Sequence, residues 1–264
     1  MRRRLAPWLL APVAAAAVAC SGGGGQEGDI TVFAASSLGD VMRDLGAGFE
    51  RAHPGTHVRL NVASSATLVT QIREGAPADV FTPASPDEAA ALSKEGFLSG
   101  TPQTFATNHL AVAVPAGKGP VEAFADLAKP GLRLVLAARD VPAGRYAREA
   151  LRRAEAAGTF GPGFEAAVLS NVRSEEPSVR AALAKVRLGE ADAAIVYVTD
   201  VPAGDQEVWL VDVPAAVNVR AEYVAAVLRK TANPGTSADF AAYLVSKEGQ
   251  AILERAGFGR AGTP

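Results

Sequence analysis

The sequence predicts an α/β fold of two lobes, each a mostly parallel sheet flanked by helices. Short apolar runs of strand character alternate with stretches whose apolar residues recur at helical spacing, an order typical of parallel strands joined by crossover helices. The alternation occurs in two series of roughly 80 and 110 residues, each long enough for a compact unit. The length of 264 residues agrees with two such units, since one domain commonly takes ~150 residues.

The first series begins directly after residue 28. Proline at position 86 suits the first turn of a helix, where its missing N–H is not needed. The predicted elements are strand 30–34, helix 38–53, strand 58–63, helix 68–74, strand 80–82 and helix 86–95.

The second series begins at residue 110 and contains a Gly-Pro-Gly loop at 161–163. Its predicted elements are strands 110–114, 132–137 and 193–198 and helices 143–157 and 178–188. Strands at 208–213 and 217–228 follow, and helices 237–244 and 247–256 complete the chain.

The last ~45 residues are too few for a domain of their own, so we expect them to pack on the first lobe. This predicts one lobe from residues 29–108 plus 221–264 and a second from residues 109–220. The chain would cross between the lobes twice, and a ligand would bind between them at the carboxyl ends of the strands.

The N-terminus has the pattern of an export signal. Three arginines precede an uncharged stretch at 5–19, which is shorter than the ~20 residues of a membrane span. Cys20, the only cysteine, follows Ala17-Val18-Ala19, which resembles a bacterial lipobox. We expect a signal peptide at 1–19, lipid attachment at Cys20, a flexible linker through residue 28 and an exported protein anchored at the periplasmic or extracellular face of a membrane. The alternative is an ordinary signal peptide in which Cys20 has no role.

Composition excludes several classes of protein. Apolar residues make up 48% and charged residues 20%, as in globular proteins. Lysine and arginine number 26 against 28 acidic residues, a formal charge of -2 that becomes -5 once the three leader arginines are removed. No basic excess exists for nucleic-acid binding. One cysteine and three scattered histidines offer no metal-ligand spacing, and no cofactor is expected.

Serines follow two strands of the first series. Ser36 and Ser37 lie between the first strand and its helix, and Ser64 and Ser65 repeat the arrangement after the second strand. Such turns combine hydroxyls, unpaired backbone N–H groups and the positive end of a helix dipole, which together favour an anion. The alternative is that these serines only cap their helices.

The second series offers three comparable positions. Ala143 and Gly144 open a helix, where small residues would let a ligand approach the backbone, although a tight turn also explains them. Ser178 is placed to cap the next helix and leave the N–H of Val179 free. Tyr197 ends a strand, with its hydroxyl toward the cleft or, alternatively, in the core.

Several of these segments together resemble the periplasmic molybdate-binding proteins of bacterial ABC transporters, over about residues 29–260. The segments are ITVFAASSL (30–38), ASSATLVTQI (63–72), GAPADVF (75–81), VPAGRYAREAL (141–151), SVRAALAKV (178–186) and AAIVY (193–197).

The resemblance implies the type II periplasmic binding fold, with a molybdate or tungstate ion between the lobes. It assigns the ion to the hydroxyls of Ser37, Ser65 and Tyr197 and to the backbone of Ala143 and Val179. It also implies a monomer that delivers the ion to a permease and its ATPase.

The chain departs from the family pattern in two places. Ala66 stands where the family often has a third serine, and Glu175 and Glu176 come just before the Val179 helix. These glutamates would repel an anion if they faced the cleft, and we expect them in a solvated loop.

Two alternatives remain. A related protein of the same fold would bind sulfate, thiosulfate or another oxyanion. A serine hydrolase would use Ser37 within Ala35-Ser36-Ser37-Leu38-Gly39, but hydrolases of that kind need a histidine late in the chain, and the last of the three histidines is His109. The sequence therefore predicts a binding protein and not an enzyme.

Overall fold

The computed structural model describes residues 28–117 and 119–262. The predicted signal peptide, Cys20 and the linker through residue 27 lie outside the described residues. The described chain is a mixed α/β protein whose ten strands form one sheet of order β2-β1-β3-β9-β4-β7-β5-β6, with β8 and β10 added on β4. Within these residues no helix has the length and apolar character needed to cross a membrane.

The first series forms three parallel strands and three helices. The strands are β1 (Ile30–Ala35), β2 (Val58–Ala63) and β3 (Val80–Thr82), and the helices are α1 (Gly39–Ala52), α2 (Ser65–Arg73) and α3 (Pro86–Lys94). The predicted elements are confirmed to within a few residues. Helix α2 begins three residues before its predicted start because the Ser64 hydroxyl accepts a hydrogen bond from the Thr67 N–H at 3.2 Å and caps the helix.

Two long antiparallel strands connect the halves of the sheet. They are β4 (Leu98–Pro115) and β9 (Arg220–Leu228), which pair from residue 98 to residue 109 of β4. The sequence predicted only 110–114 of β4, because residues 99–104 are Ser, Gly, Thr, Pro, Gln and Thr, which lack the apolar alternation of a strand. From residue 110 onward β4 pairs with strands of the second series.

The second series supplies the other half of the sheet. Its parallel strands are β5 (Leu134–Ala137), β6 (Val172–Glu176) and β7 (Ala193–Tyr197), and β8 (Val208–Asp212) pairs antiparallel with β4. Its helices are α4 (Pro142–Ala157), α5 (Phe164–Ser170) and α6 (Val179–Arg187).

Helix α5 and strand β6 were not predicted. Helix α5 has only seven residues, too few for a clear helical period, and β6 is polar except for Val172. Glu175 and Glu176 lie on β6 and not in the expected loop, although Glu175 is solvent-exposed as expected. Arg148 Nη2 lies 2.5 Å from Glu175 Oε1, and the Ser174 hydroxyl donates to Glu176 Oε1 at 2.8 Å.

The C-terminal segment returns to the first series. It comprises α7 (Pro234–Val245), α8 (Lys247–Arg255) and β10 (Gly259–Arg260). The buried ring of Phe240 packs edge-on against Phe49 of α1 at 5.1 Å, and the Asn233 amide donates to the Asp29 carbonyl at 2.8 Å. The carboxyl ends of β1, β2, β5 and β6 are followed by helices that begin around one cavity, described next, and β7 ends at the same cavity.

Candidate functional site

A small cavity lies where the two series meet. Its volume is about 10 Å³, close to the smallest space that holds one water-sized group. All five residues predicted as ligands line it, and no lining residue carries a charge. The lining consists of Ala35, Ser36, Ser37, Ser64, Ser65, Ala84, Val141, Pro142, Ala143, Val179 and Tyr197.

The first series contributes two buried serine hydroxyls. Ser37 lies in a single 3-10 turn, Ser36–Leu38, between β1 and α1, and neither serine of that turn caps the helix. Ser65 is the first residue of α2, and its Oγ accepts the backbone N–H of Ala84 at 3.1 Å. Of these four serines only Ser64 caps its helix, while Ser37 and Ser65 line the cavity without capping a helix.

The second series contributes two helix N-termini. Helix α4 begins at Pro142, so Ala143 has one of the N–H groups that no intrahelical carbonyl accepts. Helix α6 begins at Val179, and the Ser178 hydroxyl caps it by accepting the Ala181 N–H at 3.1 Å, as the sequence predicted. The N–H of Val179 is thereby left for another acceptor.

Gly144 has a different role from the one expected. A Cβ at this position would lie 2.1 Å from the carbonyl oxygen of Ala138 and 2.3 Å from that of Ala137. The glycine therefore allows α4 to pack against the end of β5. It does not serve to bring a ligand close to its backbone.

Tyr197 brings a third hydroxyl to the cavity. It ends β7, its side chain is buried, and its hydroxyl has no hydrogen-bond partner among the residues that the structure describes. Burial raises the pKa of this phenol well above its ordinary value, so the hydroxyl keeps its proton at physiological pH. An unpartnered buried donor costs about 1–3 kcal/mol, which a bound acceptor would recover.

The electrostatics of the cavity come from helix ends. Helices α1, α2, α4 and α6 all begin at or beside it. Each N-terminus carries roughly half a positive charge, so four of them offer roughly two positive charges. A small dianion matches both this potential and the set of donors.

Comparison with known proteins places this geometry in a family. The family model for bacterial extracellular solute-binding proteins matches residues 30–259. The chain belongs to this family. A curated relative, the molybdate-binding protein ModA of Mycobacterium tuberculosis, is 37% identical over 232 residues, which cover 88% of this chain and 84% of the relative.

Solved structures share the fold of this solute-binding protein. The periplasmic molybdate-binding protein of Azotobacter vinelandii superposes with a TM-score of 0.73 at 23% identity, covering 87% of this chain and 98% of that one. The sulfate-binding protein SubI of Mycobacterium tuberculosis gives 0.77 at 20% identity, covering 89% and 87%. The predicted type II periplasmic binding fold is confirmed by these neighbours.

The family membership also decides against the hydrolase alternative, because the relatives are solute-binding transport proteins. Locally, the partner of the Ser37 hydroxyl is the Tyr223 hydroxyl at 3.0 Å, not a histidine. Among the described residues no cluster of three or more His, Cys, Asp or Glu side chains is placed to hold a metal ion.

Two arginines of the second series of the solute-binding protein form ion pairs with acids of the first series. Arg180 Nη2 of α6 lies 2.7 Å from Asp40 Oδ2 of α1, and Arg145 Nη2 of α4 lies 2.7 Å from Glu88 Oε1 of α3. Sequence analysis missed both, because the partners are 140 and 57 positions apart. Tyr223 was also missed, because its apolar neighbours in β9 mark it as core.

Asp200 is a buried acid directly behind the cavity. Its Oδ2 accepts the Tyr197 N–H at 2.9 Å, and Arg180 Nε lies 3.2 Å from its Oδ1. Burial raises the pKa of this carboxyl to about 6, and the charge of Arg180 opposes that shift only in part.

This shift predicts a specific pH dependence of stability. The folded protein binds the Asp200 proton up to about pH 6, whereas the unfolded chain releases it near pH 3.8. The contribution of Asp200 to the free energy of unfolding therefore falls as pH rises from about 4 to about 6, by at most about 3 kcal/mol.

Asp200→Asn removes this titration and still accepts the Tyr197 N–H through its amide oxygen. Denaturant unfolding at pH 4 and pH 6.5 should show the variant gaining stability relative to the unsubstituted protein at the higher pH. A stability difference that does not change with pH contradicts the assignment to Asp200.

Proposed function

We propose that this protein captures molybdate, and tungstate as a second ligand, outside the cytoplasm and delivers it to an ABC transporter permease with its ATPase. The observation that carries the proposal is the convergence of three hydroxyls and two helix N-termini on one small uncharged cavity. Support also comes from the 37% identity to a curated molybdate-binding protein and from the likeness of the sequence motifs to that family.

The donor set suits this ligand chemically. Molybdate is fully deprotonated at neutral pH, so each of its oxygens only accepts hydrogen bonds. Ser37, Ser65 and Tyr197 offer O–H donors, and Ala143 and Val179 offer backbone N–H donors. Phosphate retains a proton at this pH and needs an acceptor, so a site of donors disfavours it.

Sulfate has the charge and shape of molybdate but shorter bonds. We infer that the donors close around molybdate at a spacing set by its longer bonds, so that a sulfate ion leaves some of them out of reach. Each missed hydrogen bond to a charged group costs about 1.5–3 kcal/mol, so two of them reduce affinity by at least about a hundredfold. Fold does not make this distinction, since molybdate-binding and sulfate-binding proteins both superpose on this chain.

We also propose that residues 29–108 with 221–264 and residues 109–220 act as two lobes that close on the ion. Ser37 and Ser65 belong to the first and the other three ligands to the second, so only a closed form completes the shell. The pairs Asp40–Arg180 and Glu88–Arg145 cross the same boundary and add to closure.

Calorimetric titration of the purified protein with molybdate, tungstate, sulfate and phosphate tests the function. Molybdate and tungstate should bind with similar Kd, and sulfate should bind at least about a hundredfold more weakly. Small-angle scattering on the same samples should show a smaller radius of gyration with molybdate. Equal affinity for sulfate, or no binding of either metal oxyanion, contradicts the proposal, and an esterase assay checks the hydrolase alternative.

Single substitutions test the ligand assignment. Ser37→Ala and Ser65→Ala each remove one hydrogen bond to the dianion, which is worth about 1.5–3 kcal/mol and corresponds to a roughly ten- to hundredfold weaker molybdate affinity. Circular dichroism checks that each variant remains folded. Ser93→Ala, on an exposed position of α3, is the matched control and should bind like the unsubstituted protein. Unchanged affinity in both cavity variants removes the assignment.

The anchor proposed for this exported protein is a lipid on Cys20 after removal of residues 1–19. Mass spectrometry of the N-terminal peptide should find a modified Cys20 as the first residue, and Cys20→Ala should release the protein from membranes while Ser21→Ala does not. An unmodified cysteine or a different N-terminus contradicts the anchor.

We propose a monomer, since one chain provides the whole cavity lining, and sedimentation velocity checks this.

A further inference from the structure

A buried chain of hydrogen bonds ends at the Ser37 hydroxyl. Tyr223 of β9 donates its hydroxyl proton to Ser37 Oγ at 3.0 Å, and Asn108 of β4 directs its Nδ2 at Tyr223 Oη at 3.5 Å and at Thr199 Oγ1 at 2.7 Å. The side chains of Asn108, Tyr223 and Ser37 are all at most 3% exposed. Water is therefore excluded from this chain, and the protein alone decides which way each proton points.

The direction of these hydrogen bonds is fixed at Asn108, at the end away from Ser37. The backbone N–H of His109 donates to Asn108 Oδ1 at 2.9 Å. A backbone N–H has no lone pair to accept with, so the amide oxygen of Asn108 faces His109 and its NH₂ group faces Tyr223. Tyr223 Oη therefore accepts a hydrogen bond from the NH₂ group of Asn108, and the single proton of the Tyr223 hydroxyl is donated to Ser37 Oγ. Burial raises the pKa of the Tyr223 phenol, so this proton stays in place.

We propose that Tyr223, oriented by Asn108, is a positioning residue that forces the Ser37 hydroxyl to donate into the cavity. Ser37 Oγ accepts a hydrogen bond from the Tyr223 hydroxyl. The proton of the Ser37 hydroxyl is therefore left to donate to the ligand. The inference rests on the proposed function and deepens it, because it names the groups that select a fully deprotonated oxyanion. An anion that must donate a proton finds Ser37 already acting as a donor.

The Ser65 hydroxyl also accepts a hydrogen bond from the protein, in this case from a backbone group. Its Oγ accepts the backbone N–H of Ala84 at 3.1 Å, so one of its lone pairs is occupied and its proton is available to a ligand. The two serines assigned as ligands thus each accept a hydrogen bond from the protein, Ser65 from a backbone group and Ser37 from a side chain. Only the Ser37 polarity is therefore open to change by substitution.

The ring of Tyr223 also packs in the core, and the test must separate the two roles. Its centroid lies 6.0 Å from that of Tyr197, 5.5 Å from that of Phe258 and 6.4 Å from that of Phe105. Tyr223→Phe keeps this packing and removes only the hydroxyl. Tyr243→Phe, on the partly buried face of α7 away from the cavity lining, is the matched control.

The first experiment is a double-substitution cycle on molybdate affinity. Tyr223→Phe should weaken molybdate binding about tenfold, or about 1.4 kcal/mol. In a Ser37→Ala background it should have no further effect, because Tyr223 acts through Ser37. Tyr243→Phe should have no effect in either background. An equal loss in both backgrounds, or no loss in the first, overturns the inference.

The second experiment reverses the direction of the hydrogen bonds that run from Asn108 through Tyr223 to Ser37. In Asn108→Asp a carboxylate oxygen replaces the NH₂ group and accepts a hydrogen bond from the Tyr223 hydroxyl. Tyr223 Oη then accepts a hydrogen bond from the Ser37 hydroxyl. A lone pair of Ser37 Oγ, and not its proton, therefore faces the cavity. The ratio of molybdate to phosphate affinity, measured by competition, should fall at least tenfold. An equal loss of affinity for both anions overturns the inference and leaves the proposed function intact. Absence of molybdate binding by the unsubstituted protein overturns both.

Discussion

The structure depends on keeping several hydrogen-bond donors buried without acceptors of their own. The Tyr197 hydroxyl has no partner among the described residues, and the first N–H groups of α4 and α6 have none within their helices. Each such group costs free energy when buried, so the surrounding fold must hold them in place. They are held because each lies at the end of a strand or at the start of the helix that follows one, and strands of one sheet fix these positions relative to each other.

The two long strands provide the second constraint. Strands β4 and β9 pair along one half of the sheet, and the end of β4 then pairs with β7 and β8 in the other half. They are the elements that join the two sets of donors. Asn108 and Tyr223 lie on these same strands. The hydrogen bonds that lead to Ser37 therefore start on the two strands that connect the halves of the sheet.

The charge of the protein has little bearing on the site. The net charge is negative, yet the cavity has the potential of four helix N-termini and no charged lining. Charged residues act at a distance from the ligand position instead. Arg180 and Arg145 pair with Asp40 and Glu88 between the two series, and neither pair adds a charged side chain to the cavity lining.

The sequence by itself determined the alternating order of strands and helices, the serine turns after β1 and β2 and the helix start at Val179, because these depend on local periodicity and on capping. It also indicated Ser37, Ser65, Ala143, Val179 and Tyr197 through motif resemblance, and the structure gathers all five around one cavity. It did not reveal α5 or β6, whose segments are too short or too polar for a periodic signal.

Only the tertiary structure decided which residues contact the hydroxyls of Ser37 and Ser65 and which ion pairs cross between the halves. The Ser65 hydroxyl accepts the backbone N–H of Ala84 from 19 positions away. Tyr223 reaches Ser37 from 186 positions away. Hydrogen-bond direction between such distant groups depends on three-dimensional packing, which leaves no pattern in a single sequence.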